Sequence, residues 1–187
     1  EQAFEVARAT SRLVGLVFGA FDYWSSLRMA LAPYRFDHPA VDAARLRIVK
    51  AAASVGVPAI AEMTTEYPTK EKTEAERERA LATCVTHAQH ARDLGMVGKW
   101  AGHPAQVAPI IEVFSPSAAA VAQAVEHVRA FREAERRGLG ADRRGGRILD
   151  REGRRAARLV AARVGRGEGD RGALAGGAAG GEQGGRV

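Results

Sequence analysis

With 187 residues, 46% of them hydrophobic, the chain is long enough for one core of ordinary domain size and short for two. It contains no run of about 18 apolar residues, and its opening, EQAFEVARAT, carries neither a basic leader nor an apolar signal core, which argues against a membrane-spanning or secreted chain. The formal charge of +6 invites a nucleic-acid partner, but 13 Arg against 7 Asp or Glu between Arg132 and Arg171 account for the whole excess, and no aromatic residue follows Phe131 to stack on bases. The expectation is therefore a chain with no nucleic-acid and no membrane partner. A single cysteine, Cys84, cannot form an internal disulfide and fits a reducing, cytoplasmic setting as a small helix residue.

The chain opens without Met and with Phe4, Val6 and Ala7 already at helical spacing, so the expectation is a chain that begins partway through an element. Apolar runs then alternate with helical stretches, the pattern of successive strand–helix units on a parallel sheet. Residues 12–18 (RLVGLVF) are a Val/Leu-rich strand closed by Gly19, and Gly19–Leu27 is taken as the loop after it. A helix is predicted over 39–54, with Asp37 near its N-cap, Pro39 in its first turn and Gly56 past its end. The second strand is 57–62 (VPAIAE), followed by the polar loop TTEYPTKEK. Thr73 and Glu76 form the spacing of a capping box, opening a long helix that closes at Leu94 before Gly95.

The third strand is 96–101 (MVGKWA), and HPAQVAPIIEVF reads as a turn and a short helix. Ser115-Pro116 starts another helix whose Val121, Val125, Val128 and Phe131 recur at steps of three or four, and which ends near Gly138. Residues 139–147 read as irregular, 151–164 as a basic helix, and 165–187 as a Gly/Ala-rich tail without enough apolar surface to fold. Strands recurring about every 40 residues suit units of a (β/α)₈ barrel or of a doubly wound sheet. Three units cannot close a barrel, which typically needs on the order of 250 residues.

Functional side chains in either fold sit in loops at the C-terminal strand ends. After the first strand stands Asp22, a carboxylate able to hold a hard cation through oxygen, or simply a turn residue. After the third, Lys99, Trp100 and His103 offer a cation, a broad apolar ring and a titratable imidazole, which can line an anionic pocket or serve as core and turn.

The string GKWAGHPAQVAPIIEVFSPS resembles the GKW-x-x-HP-x-Q…EVF-P motif of the HpcH/HpaI aldolase and citrate lyase beta-subunit family, which includes malyl-CoA lyase. LVFGAFDYWSSL resembles the segment after that family's sixth barrel strand, ARDLGMVGKW its run into the eighth, and GGRILDREGRRAARLV its C-terminal segment. The resemblance covers about residues 5–164, in the family's order. It implies a (β/α)₈ (TIM) barrel of which this chain carries the last three strand–helix units and a helical C-terminal extension. On that basis residues 1–131 are expected to be the barrel part, 132–164 an extension reaching a neighbouring subunit's site, and 165–187 a disordered tail.

The resemblance also implies magnesium and a coenzyme A thioester, with cleavage or formation of a carbon–carbon bond between a 2-oxo acid and an acyl-CoA enolate. Asp22 falls on the family's metal-ligand Asp, and Asp150 on the acid or base that acts in a neighbouring subunit. Gly19, Ala20, Phe21, Lys99, Trp100 and His103 are the expected substrate-binding set. The family's second metal carboxylate and an Arg near the thioester would lie upstream of residue 1. A trimer or hexamer of identical chains is implied. A class II aldolase working on free 2-oxo acids, or a truncated non-catalytic paralogue, remain open beside the lyase.

Three departures fall around the expected pocket mouth. Ala61 and Glu62 stand where the family commonly has an Asp after the hydrophobic pair. The loop MTTEYPTKEKTEAERE is longer and more charged than usual, and Gly102 replaces a hydrophobic residue before His103.

Overall fold

The computed structural model describes residues 2–28, 34–138, 142–144 and 147–149. The chain divides into two compact units at the junction of Phe114 and Ser115.

In the first unit, α1 (Ala3–Arg8) leads to β1 (Leu16–Val17), α2 (Ala20–Ser26), α3 (Pro39–Val55), β2 (Ala59–Ala61), α4 (Glu74–Asp93), β3 (Gly98–Lys99), a 3₁₀ turn (Pro104–Gln106) and α5 (Val107–Phe114). The three strands form one sheet in chain order, parallel throughout, with Leu16 opposite Ala59, Ile60 opposite both Val17 and Gly98, and Ala61 opposite Lys99. This is an α/β fold with a parallel sheet. All three strands are shorter than the apolar runs at 12–18, 57–62 and 96–101 that announced them, because only part of each run pairs across the sheet. The segment after β1 is helical, not a loop: Ala20 is fully buried and Trp24 nearly so, which turns AFDYWSS into a short amphipathic helix of about two turns.

Local chemistry accounts for the helix ends. His38, not Asp37, caps α3: its Nδ1 accepts from the Ala40 N–H at 3.2 Å, while Asp37 pairs with Arg35. Pro39 occupies the first turn, where its missing N–H costs nothing. Gly56, at φ 76°, closes the helix in the left-handed region that side chains avoid. Thr73 and Glu76 make the full reciprocal capping box at the start of α4.

The core joins β1 and β2 to α1, α2, α3 and the end of α4 through Leu16, Phe18, Trp24, Val41 and Met96, with Ala51, Ala52, Ala59, Ala61 and Ala91 between them. The alanines let helix backbones approach the strands closely, while burying a residue such as Val41 contributes about 1.5–3 kcal/mol. The other sheet face carries Val17, Ile60 and Gly98; Ile60 Cδ1 would lie 3.1 Å from a Cβ at Gly98, and Val17 is 55% exposed.

In the second unit α6 (Ala118–Arg136) is capped by Ser117, whose hydroxyl accepts from the Ala120 N–H at 3.1 Å, rather than by Ser115. Residues 139–147 are not wholly irregular: β4 (Asp142–Arg144) pairs antiparallel with β5 (Arg147–Leu149). The sequence signal was Gly145-Gly146 between the two runs. The basic helix over 151–164, the tail and Asp150 lie outside the described residues. No single helix among the described residues is long and apolar enough to cross a membrane.

Candidate functional site

Because the strands are parallel, the segments that follow β1, β2 and β3 leave the sheet at the same end. After β1, Gly19 precedes α2, and Asp22 sits exposed in the helix's first turn. One Asp22 carboxylate oxygen would stand 3.3 Å from a Cβ on Gly19, so the carboxylate lies back over the strand end. Ala20 is buried in the core, and Phe21 is half-buried with its ring 4.5 Å from that of Tyr34.

After β3, Trp100 is 53% exposed, whereas Lys99 beside it is turned into the protein. Its ammonium donates to the Glu62 carbonyl oxygen and lies 5.3 Å from the centre of the Phe36 ring. Burial, only partly offset by the nearby Glu62 carboxylate, brings the Lys99 pKa down to about 8. His103 is half-buried, and its Nδ1 accepts from the Ala105 N–H at 3.2 Å, fixing the ring at the head of the 3₁₀ turn.

Beneath this end lies a buried polar cluster that sequence reasoning did not anticipate. Arg45 of α3 is fully buried: it pairs with the Glu62 carboxylate, donates from Nη1 to the Phe36 carbonyl at 2.7 Å and to Asp42, and stacks 3.9 Å from the Phe36 ring centre. Tyr34 Oη donates to the same Glu62 carboxylate at 3.2 Å; burial first, and then that negative charge, raise its pKa. His87 stacks on the other side of the cluster, parallel to Phe36 at 3.8 Å, with Nδ1 3.1 Å from Thr64 Oγ1. Burial, helped by the Lys99 charge, lowers the His87 pKa to about 4, so its ring is neutral at neutral pH. His90 meets Asp42 at 2.9 Å.

The cluster had one legible sign. Arg45 stands in register with Val41, Ile48 and Ala52 on the apolar stripe of α3, a charge where a core residue belongs. Cys84, fully buried with its thiol pKa pushed up by burial, is a packing residue.

As a cation site, the described residues offer the exposed carboxylate of Asp22 at the end of β1. Among them no group of three or more His, Cys, Asp or Glu side chains is arranged to hold a metal. Asp22 suits a hard cation such as magnesium as one ligand of several, and the described residues do not complete the set.

A parallel α/β sheet whose polar and aromatic loops gather at the C-terminal strand ends defines the general class of α/β proteins with a rim site. A family model described as a domain of unknown function, DUF6986, matches residues 3–169. The chain is 34% identical over 170 residues to L-malyl-CoA/beta-methylmalyl-CoA lyase of Rhodobacter capsulatus, covering 83% of this chain and 50% of that protein. It is 32% identical over 163 residues to citrate lyase subunit beta of Escherichia coli strain K12, covering 87% and 49%. Among solved structures, CitE of Mycobacterium tuberculosis, in complex with magnesium, acetoacetate and coenzyme A, shares the fold at TM-score 0.65 and 22% identity, covering 87% of this chain and 56% of that one.

The chain spans about half the length of the curated relatives it matches. It belongs to the DUF6986 family, and with it to the wider citrate lyase beta-subunit and malyl-CoA lyase family.

Proposed function

We propose that the whole protein is a magnesium-dependent carbon–carbon lyase that cleaves or forms a 3-hydroxyacyl-CoA thioester of the malyl, citryl or methylmalyl kind. The observation that carries the reading is the exposed Asp22 carboxylate at the end of β1, on the same sheet end as the exposed Trp100 and the fixed His103. The named relatives supply the substrate class: one acts on malyl-CoA and beta-methylmalyl-CoA by its name, and another is a citrate lyase subunit.

The three parallel strands in unbroken chain order fit three consecutive units of a (β/α)₈ barrel, here the last three. In this reading residues 1–131 are barrel, 132–164 extend toward a neighbouring copy in a homo-oligomer, and 165–187 are a tail.

Cleavage breaks the bond between the hydroxyl-bearing carbon and the carbon next to the thioester. The hydroxyl gives up its proton to solvent and becomes the carbonyl of the 2-oxo acid; the electron pair of the broken carbon–carbon bond passes to the acyl carbon as an enolate, which then takes up a proton. Asp150, acting in the neighbouring copy's site, supplies that proton, a task suited to a carboxylate whose pKa partial burial can raise. A bound magnesium, with Asp22 as one of its ligands, supplies electrostatic stabilisation of the charge developing on the oxo-acid oxygen. Trp100 and His103 line the mouth from the β3 side and the backbone of Gly19–Phe21 from the β1 side, and Lys99 adds a buried positive charge after β3.

Asp150→Asn in the full-length protein tests the proton-transfer role. Proton exchange at the acyl carbon of acetyl-CoA should fall by at least about a hundredfold, the scale of a lost general acid, while thioester binding stays within about threefold. Unchanged exchange removes Asp150 from the reaction.

A further inference from the structure

Two of the departures around the pocket mouth meet in space. Tyr67, in the long charged loop between β2 and α4, lays its ring on the backbone at Gly102. A Cβ built on Gly102 would stand 2.4 Å from Tyr67 Cε1 and 3.0 Å from both Cζ and Oη, well inside van der Waals contact. Gly102 has no left-handed φ to require a glycine, so what it provides is room. The ring therefore occupies the volume into which any side chain at position 102 would project.

Its position is held at both ends. Tyr67 Oη donates to Met63 Sδ at 3.2 Å. Gln106, fully buried, accepts from the Gly102 and His103 N–H groups through Oε1 at 3.0 and 3.2 Å and donates to the Glu66 carbonyl at 3.1 Å. One amide thus ties the residue before Tyr67 to the segment that carries Trp100 and His103. The loop after β2 and the loop after β3 are consequently one unit, with an aromatic ring set between them at the strand-end rim.

We infer that Tyr67 is a specificity-determining residue: its ring, in the space left by Gly102, narrows the mouth beside Trp100 and His103 and selects against acyl groups branched next to the thioester. The inference rests on the lyase reading above. A side chain at 102 would reach the same volume from the β3 side, so the pair is an exchange of one filler for another. Discrimination by an apolar wall is worth roughly 10- to 200-fold per methylene.

The test uses the full-length protein and two thioesters, malyl-CoA and its methyl-branched homologue, with kcat/KM measured for each. Tyr67→Ala should raise the branched-to-unbranched ratio about tenfold or more. Adding Gly102→Leu to it should return the ratio to within about threefold of wild type by refilling the space. Tyr67→Leu, a shorter apolar filler, carries the same comparison if the alanine variant does not fold. A wild type active on malyl-CoA whose ratio does not move in these variants, or does not recover in the double variant, overturns the role of Tyr67 alone. A wild type inactive on both but active on citryl-CoA overturns the Tyr67 assignment alone, and one inactive on all three thioesters overturns the lyase reading and the Tyr67 assignment with it.

Discussion

The Arg45 guanidinium and the Glu62 carboxylate form an ion pair 17 residues apart in sequence, with 0% and 3% of their side chains exposed, joining the middle of α3 to the end of β2. Glu62 begins the loop that carries Tyr67, and its carbonyl holds Lys99, so this pair anchors the floor beneath the strand-end rim. Removing one member leaves the other charge buried and uncompensated, a cost of about 3–5 kcal/mol. Arg45→Met and Glu62→Leu should each lower unfolding free energy by roughly that amount in urea titrations. The double variant should lose clearly less than the sum of the two. Single variants within about 0.5 kcal/mol of wild type, the range of ordinary surface substitutions, would contradict this role.

His87 sets a pH dependence. Its pKa of about 4 in the folded protein lies below the ordinary imidazole value of 6.5, so the unfolded chain takes up this proton first. Stability from this group is complete above pH 6.5 and is lost as pH falls toward 4. In His87→Phe, which keeps a ring against Phe36, the fall of the urea midpoint over that window should be shallower than in wild type. Parallel curves would contradict the assignment.

The start of α4 gives a local test. Thr73 Oγ1 accepts from the Glu76 N–H while the Glu76 carboxylate accepts from the Thr73 N–H. Thr73→Ala should cost about 1 kcal/mol, measured by thermal or urea unfolding, and Thr73→Ser very little.

These cases also show how much of the molecule was legible. The Thr73–Glu76 box, Pro39 and Gly56 were readable because each is settled within four residues by backbone chemistry. The parallel sheet followed from the rhythm of apolar runs, but the true strand lengths depended on which residues found partners across the sheet. Ala20–Ser26 looked like a loop because its seven residues are too few for a helical period to declare itself, and the burial of Ala20 and Trp24 decides it. The polar cluster was hidden for the opposite reason. Arg45, Glu62, His87 and Lys99 are brought together by tertiary packing over more than fifty residues, and a single charged residue in an apolar stripe names no partner. The departures at Gly102 and in the loop after β2 were visible singly; that Tyr67 fills the space at Gly102 was not.

The most direct measurement is a divalent-metal titration of thioester cleavage by the full-length protein, followed as release of the 2-oxo acid from malyl-CoA, for wild type and Asp22→Ala. Wild type should cleave only with magnesium or a similar hard cation, and the substitution should lower kcat/KM at least a hundredfold while raising the metal concentration needed for half activity, as expected when a metal loses a ligand and with it part of its stabilisation of the developing charge. Cleavage that needs no metal, or a metal dependence identical in the two proteins, would contradict the assignment of Asp22 and the lyase chemistry built on it.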